Sequence, residues 1–170
     1  MKKIIYLLAF LISFSFTACN DDSNSDNQQW KSDNLKAYEE VVQDPTWIPL
    51  VSMSNLGGPS GVYHKVIKSG EGQERPIQTA SVKVKYKGYY YTGTVFDSGS
   101  SQNDIPVSFN VNGVVRGFGF ALQNMVVGDK WEICIPYFLG YGSTASSTSA
   151  MRAYTTLFFE LELVEINQHP

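Results

Sequence analysis

Hydrophobic and polar residues alternate over several short segments of this chain, as is typical of half-buried β-strands. Val82, Val84 and Tyr86 alternate with three lysines, so one face of this segment is predicted to meet a core and the other to meet water. The same alternation of apolar and polar residues recurs near the C-terminus, at residues 157–164. It predicts strands or extended segments at residues 62–68, 82–91, 95–97, 107–111, 131–135 and 157–166.

Two segments have helical spacing instead. Apolar residues recur every three to four positions in residues 35–44, where Asn34 is predicted to cap a helix that Pro45 ends. Residues 118–125 predict a second helix of about two turns, flanked by glycines. Together these elements predict an α+β fold, in which one short helix covers the apolar face of an antiparallel sheet.

The N-terminus has the pattern of a secretory signal peptide. Lys2 and Lys3 precede an apolar run at residues 4–16, which is shorter than the roughly 20 residues that span a bilayer. Residues 16–19, Phe-Thr-Ala-Cys, resemble the lipobox of bacterial lipoproteins, in which the signal is removed before a cysteine that becomes lipidated. We therefore expect residues 1–18 to be cleaved and Cys19 to carry a lipid anchor; an ordinary secretory signal with a chance cysteine is the alternative.

Composition shifts divide the rest of the chain. Residues 20–34 contain one aromatic and no aliphatic side chain, which predicts that residues 19–34 form a lipidated, flexible tether. Residues 35–60 are predicted to hold the first helix and a linker that ends in a Gly/Pro-rich cluster, and residues 61–166 to form the main domain. The acidic pair after Cys19 resembles a surface-export signal, but the sequence leaves open whether the domain faces the periplasm or the exterior.

Charge and metal-ligand spacing exclude several classes of function. Without Lys2 and Lys3 the chain has 13 − 2 = 11 basic and 16 acidic residues, a formal charge of 11 − 16 = −5, which argues against nucleic acid as a partner. The two cysteines lie 134 − 19 = 115 positions apart, and the two histidines have no acidic or cysteine cluster around them. We expect no metal site and no cofactor.

Five stretches of sequence occur in a recognisable order and spacing: VKVKYKG at 82–88 with GTVFDS at 93–98, NGVVRGF at 112–118, VGDK at 127–130, IPYFLGYG at 135–142 and TLFFELEL at 156–163. Together they resemble the FKBP-type peptidyl-prolyl cis-trans isomerases. The resemblance covers residues 61–166. It implies a half-barrel of five or six antiparallel strands wrapped around a short helix, with a pocket between helix and sheet.

The resemblance also implies which residues form that pocket. Its apolar lining would be Tyr86, Phe96, Val107, Val114, Val115, Phe118, Met151 and Phe159. The backbone N–H of Val115 and the hydroxyl of Tyr141 would hold substrate carbonyls, while Asp97, hydrogen-bonded to Tyr86, would lie beside the rotating amide. Periodicity alone would assign the strand aromatics to an ordinary core, and Asp97 alone would be a simple turn residue.

Two positions depart from the family pattern. Phe118 stands where a tryptophan usually forms the floor of the pocket, and residues 150–154, Ala-Met-Arg-Ala-Tyr, stand where an Ile-Pro-Pro tip is common. Met151 can still pack against the pocket, because methionine is adaptable. Both departures affect substrate selectivity and the binding of macrolide inhibitors, which the resemblance also implies.

These features predict a lipid-anchored prolyl isomerase of the cell envelope that acts on proline-containing, unfolded or exported polypeptides. Two alternatives remain open. One is a non-catalytic chaperone or assembly module that binds proline peptides in the same pocket, and the other is a structural accessory of a surface complex. Turnover of short X-Pro peptides is expected only of the isomerase, so it distinguishes the isomerase from both alternatives.

Overall fold

The structure, a computed structural model, describes residues 22–51, 59–99, 104–144 and 151–167. Cys19, the predicted signal peptide and most of the polar loop before Met151 lie outside the described residues. Within them, no helix is both long and apolar enough to cross a membrane.

The described residues form two α-helices and seven strands. In chain order they are α1 Asp22–Gln43, β1 Ile48–Val51, β2 Pro59–Lys68, β3 Ser81–Tyr89, β4 Val95–Asp97, β5 Val107–Asn110, α2 Arg116–Leu122, β6 Lys130–Ile135 and β7 Leu157–Asn167. Single 3₁₀ turns lie at Val111–Gly113 and Tyr137–Leu139. The strands form one antiparallel sheet in the order β1-β2-β6-β7-β3-β4, and β5 also pairs with β3.

The predicted antiparallel sheet around a short helix is confirmed, with a seventh strand that the sequence did not predict. That strand is β1, a four-residue segment that pairs with β2 inside the predicted linker. The sheet therefore begins before residue 61, and the predicted boundary of the main domain is placed too late. Ile48 and Val51 are exposed on this edge strand, so β1 lacks the apolar alternation of the central strands.

The central strand β3 follows its alternating sequence. Val82 and Val84 are fully buried. On the opposite face, the lysines of β3 are matched by acidic residues of β7: Lys83 contacts Glu165 and Lys87 contacts Glu160, each at 2.7 Å. Such half-exposed pairs contribute little stability, roughly 0–1 kcal/mol each, but they keep this face of the sheet hydrated.

Helix α2 lies on the concave apolar face of the sheet. It begins at Arg116 and ends at Leu122, slightly earlier than the predicted 118–125, and its Phe118, Ala121 and Leu122 side chains are buried in the main core. A Cβ on Gly117 would lie 2.3 Å from Cγ2 of Ile135 on β6. This glycine therefore lets the first turn of α2 approach the sheet closely.

The predicted flexible tether is wrong from residue 22 onward, because this stretch forms the first half of α1. Asn34 does not cap a helix but lies inside α1, fully buried, where its amide donates to the carbonyl of Trp30. Its Oδ1 accepts a hydrogen bond from the N–H of Thr156, 122 positions away. Contacts of this range stabilise a polar helix that local sequence does not favour.

The C-terminal half of α1 covers part of the outer face of the sheet. Val41, Trp47, Cys134 and Phe158 form a second buried cluster there, separate from the main core. Burial raises the pKa of the Cys134 thiol. Cys134 is thus a small packing residue, and its thiol remains protonated at neutral pH.

Candidate active site

An apolar pocket opens to solvent between α2 and the concave face of the sheet. Its volume is about 270 Å³, and its lining is Tyr86, Phe96, Asp97, Phe109, Gly113, Val114, Val115, Phe118, Tyr141 and Phe159. The strands β3, β4, β5 and β7 each contribute at least one side chain, and the segment that leads into α2 contributes the two valines. The pocket is thus built from four strands of the sheet together with α2 and the segment that precedes it.

Phe118 forms the base of the pocket and is surrounded by aromatic edges. Its ring centroid lies 5.1 Å from that of Phe159 and 6.0 Å from that of Tyr86, with interplanar angles of 79° and 81°. Phe96 in turn meets Phe159 edge-on at 5.6 Å. Edge-to-face packing of this kind fixes ring orientations, so the walls of the pocket are preformed.

A glycine on β3 makes room for two of these rings. A Cβ on Gly88 would lie 2.7 Å from ring carbons of both Phe96 and Phe159, well inside the usual contact distance of carbon atoms. Gly88 is not a lining residue, but the absence of a side chain there leaves room for the Phe96 and Phe159 rings.

Among the described lining residues, Asp97 on β4 alone has a carboxylate, and both of its oxygens accept hydrogen bonds. The Tyr86 hydroxyl donates to Oδ2 at 2.9 Å, and the N–H of Gly99 donates to Oδ1 at 3.0 Å. Gly99 has φ +41°, and a Cβ there would lie 2.5 Å from the Tyr86 ring. The turn after β4 thus requires glycine, and it fixes both the carboxylate and the tyrosine.

Both pocket tyrosines are protonated at neutral pH. Burial, together with the hydrogen bond to Asp97, raises the pKa of Tyr86 well above its usual range. Burial also raises the pKa of Tyr141, and the charge of Asp97 adds to this shift. The Tyr86 hydroxyl donates to Asp97, and Tyr141, which is 39% exposed, presents a phenol at the rim.

The structure brings eight of the ten sequence-predicted pocket residues together in this lining. The two others lie outside it: Val107 is half-buried on β5 opposite Val84, and Met151 is buried in the main core. Phe109 and Gly113 line the pocket although the sequence analysis did not select them. The signal for Phe109 was present, since it lies two residues after Val107 and so shares its face of the strand.

The described residues of the lining include no histidine, cysteine, serine or threonine that could act as a metal ligand or nucleophile. Among the residues that the structure describes, no group of three or more His, Cys, Asp or Glu side chains is arranged to hold a metal ion. What the lining offers is apolar surface, one fixed carboxylate and one phenol at the rim. Such a site can bind a compact apolar ring and hold a neighbouring amide without breaking a covalent bond.

Comparison with known protein families identifies the same region. Residues 72–164 match the family described as FKBP-type peptidyl-prolyl cis-trans isomerase. The chain is 45% identical over 107 residues to the "FKBP-type 22 kDa peptidyl-prolyl cis-trans isomerase" of Escherichia coli, which covers 63% of this chain and 50% of the relative. It is 36% identical over 110 residues to the "Outer membrane protein MIP" of Legionella longbeachae, covering 65% and 46%. The chain thus spans about half the length of these relatives.

Solved structures agree with the fold. The crystal structure of a peptidyl-prolyl cis-trans isomerase from Pseudomonas syringae matches with a TM-score of 0.69 at 25% identity, covering 84% of this chain and 96% of that one. FkpA from Escherichia coli matches with a TM-score of 0.70 at 26% identity, covering 88% and 64%.

Proposed function

The chain belongs to the family of FKBP-type peptidyl-prolyl cis-trans isomerases, and from this premise we propose that it catalyses rotation about X-Pro bonds in polypeptides. The observation that carries the proposal is the preformed aromatic pocket, whose described lining combines apolar side chains with Asp97 and Tyr141. Its volume of about 270 Å³ accommodates a proline ring and parts of its neighbours.

The reaction requires differential binding and no bond cleavage. Amide resonance opposes rotation with a barrier of about 20 kcal/mol, and the uncatalysed X-Pro exchange takes tens of seconds or longer. A catalyst must bind the twisted amide more tightly than either planar form. An apolar pocket does so in part by removing water, because the twisted amide is less dipolar than the planar one.

We assign the roles as follows. The proline ring rests on Phe118, between the Phe96 and Phe159 walls, while the Tyr141 hydroxyl and the Val115 N–H donate to substrate carbonyls. Asp97 lies beside the rotating carbonyl and acts through its charge, and its orientation is fixed by Tyr86 and Gly99. Val107 and Met151 lie outside this lining, and we assign them no direct role in the reaction.

The two departures from the family pattern bear on ligand choice. Phe118 offers less area than an indole and has no N–H group. We therefore propose that the pocket accepts X-Pro peptides and macrolide inhibitors, with weaker contacts at its floor than a tryptophan would give. Competition between a macrolide and a proline peptide for the pocket tests this assignment.

We further propose that Cys19 is lipidated and that the domain acts in the cell envelope on exported polypeptides. The signal-like N-terminus and the Phe-Thr-Ala-Cys sequence support this proposal, as does the relative named as an outer membrane protein. Incorporation of a labelled fatty acid by the full chain, and its loss in Cys19→Ser, tests the anchor. Incorporation that is unchanged in Cys19→Ser would contradict it.

A protease-coupled isomerisation assay tests the activity, using the chain from Asn20 onward and a short peptide with one X-Pro bond. We expect exchange faster than the uncatalysed background by orders of magnitude. Background exchange together with measurable peptide binding would contradict catalysis and favour the non-catalytic proline-binding module.

A further inference from the structure

We infer that helix α1 is a positioning element of the proposed active site and that Trp30 is its central positioning residue. The inference rests on the proposed function and concerns a helix outside residues 72–164, the part that matches the family. Trp30 does not line the pocket. It contacts instead two segments that adjoin lining residues: one packs against Phe96, and the other is hydrogen-bonded to the residue after Tyr141.

The first of these segments is the turn between β3 and β4. The Trp30 ring meets Tyr90 edge-on, with centroids 5.4 Å apart, and lies 5.8 Å from the Tyr91 ring. Tyr90 packs against Phe96, a wall of the pocket, at 5.0 Å. Asp33, also on α1, accepts a hydrogen bond from the Tyr91 hydroxyl at 3.3 Å. Helix α1 thus contacts the turn that leads to Phe96 and Asp97.

The second segment is residues 152–156, just before β7. The Trp30 indole N–H donates to Oγ1 of Thr155 at 3.3 Å, and Asn34 makes two hydrogen bonds with Thr156, at 2.9 and 3.0 Å. Arg152 lies over the Trp30 ring and pairs with Asp26 at 2.9 Å. Side chains from three successive turns of α1 therefore hold this segment in place.

Residue 154 connects this segment to Tyr141. The N–H of Tyr154 donates to the carbonyl of Gly142, the residue after Tyr141, at 2.9 Å. Tyr154 has φ 60°, which is unfavourable for a residue with a side chain and persists only where its surroundings enforce it. The Tyr137 ring packs against Tyr154 at 5.0 Å, and the Lys31 ammonium of α1 lies 4.2 Å above the ring. The helix thus helps to hold the backbone on which Tyr141 stands.

The two halves of α1 have different neighbours, which makes the inference testable. Through Trp30 and Lys31, the N-terminal half contacts segments that adjoin the pocket lining. The C-terminal half packs through Val41 on the outer face of the sheet. If α1 only stabilises the fold, alanine substitutions in either half should lower stability and leave kcat/KM unchanged. If it positions the rim, only the N-terminal half affects catalysis.

The experiment compares Trp30→Ala, Trp30→Phe and Val41→Ala in the chain from Asn20 onward, with kcat and KM measured well below each melting temperature. We expect Trp30→Ala to lower kcat/KM about fivefold, mostly in kcat, as when one positioned hydrogen bond at the transition state is weakened. Trp30→Phe keeps the ring contacts and should recover most of this loss. Val41→Ala should lose stability and keep kcat/KM. A folded Trp30→Ala variant with kcat/KM within twofold of the parent would overturn the inference.

Two further measurements keep the result decisive. If Trp30→Ala does not fold, Lys31→Ala removes the cation above Tyr154 without touching the core, and we expect it to lower kcat/KM about twofold. Affinity for an X-Pro peptide in the same variants separates ground-state binding from turnover, and we expect this affinity to change little. An inactive parent chain would contradict the proposed function, whereas an active parent whose kcat is unchanged in both Trp30→Ala and Lys31→Ala would contradict this inference.

Discussion

Replacing Gly88 by alanine tests whether the aromatic walls of the pocket depend on a missing side chain. The new Cβ would lie 2.7 Å from ring carbons of Phe96 and Phe159, about 1 Å inside the usual carbon–carbon contact of 3.5–4.0 Å. Both rings, or strand β3, must therefore move. Overpacking of this kind typically costs about 1–3 kcal/mol of folding free energy.

The same displacement should affect function, since Phe96 and Phe159 are walls of the pocket. We expect Gly88→Ala to lower the melting temperature by roughly 3–10 °C, and to lower kcat/KM for an X-Pro peptide about tenfold through a higher KM. Thermal unfolding and the isomerisation assay measure the two effects separately.

Gly72→Ala is the matched control. Its Cβ would also lie 2.7 Å from a neighbour, in this case the backbone nitrogen of Val127, which is not part of the pocket. It should lose stability and keep kcat/KM. If Gly88→Ala retained the parent kcat/KM, the reasoning that the close approach of β3 shapes the pocket would be refuted.

Three further predictions follow from single groups. Tyr141→Phe should lower kcat/KM about fivefold with little change in stability, because it removes one rim hydroxyl and keeps the ring; steady-state kinetics and thermal unfolding check this. His64 is buried, its Nδ1 lies 2.9 Å from the Ile48 carbonyl, and burial holds its pKa below 6.5 although the charge of Asp129 opposes the shift. The unfolded chain therefore takes up the proton first, and stability should fall as pH drops below about 6.5, an effect that urea titrations should find absent in His64→Gln. Tyr86 should remain protonated past pH 10 in ultraviolet titration, and removal of its partner in Asp97→Asn should bring its ionisation toward lower pH.

The central strands could be predicted from the sequence because their burial follows a local rule. The alternation at 82–87 predicts which face of β3 meets the core, and the same rule places Phe159 on the pocket side of β7. Where a strand lacks alternation, the rule gives no signal, as for the edge strand β1.

The spacing at residues 35–44 correctly predicts the second half of helix α1, which ends at Gln43, but the first half could not be predicted from its own residues. Its first half is polar, and the contacts that order it are made with Thr155, Thr156, Tyr90 and Tyr91, all distant in sequence. Composition correctly shows that residues 20–34 cannot bury much apolar area alone. It does not show that a single tryptophan and a buried asparagine attach the segment to the rest of the domain.

In the site as well, the sequence motifs identify some residues, while the roles of others depend on contacts between distant parts of the chain. The motif resemblance selected Asp97 and Tyr141, and the structure places both in the lining of one pocket. It could not select Gly88 or Gly99, because their role depends on rings that approach from other strands. Tertiary contact, and not local pattern, decides these positions.

We propose that this pocket accelerates X-Pro rotation and that its fixed carboxylate takes part. NMR line-shape analysis of cis/trans exchange in a short X-Pro peptide tests both points, with the parent chain, Asp97→Ala and Asp104→Ala. Asp104 is an exposed aspartate paired with Lys85 outside the pocket lining, so it serves as the matched control. We expect fast exchange with the parent and Asp104→Ala, and exchange at least about tenfold slower with Asp97→Ala. Equal exchange rates in all three, or a parent chain at the uncatalysed rate, would contradict the proposal.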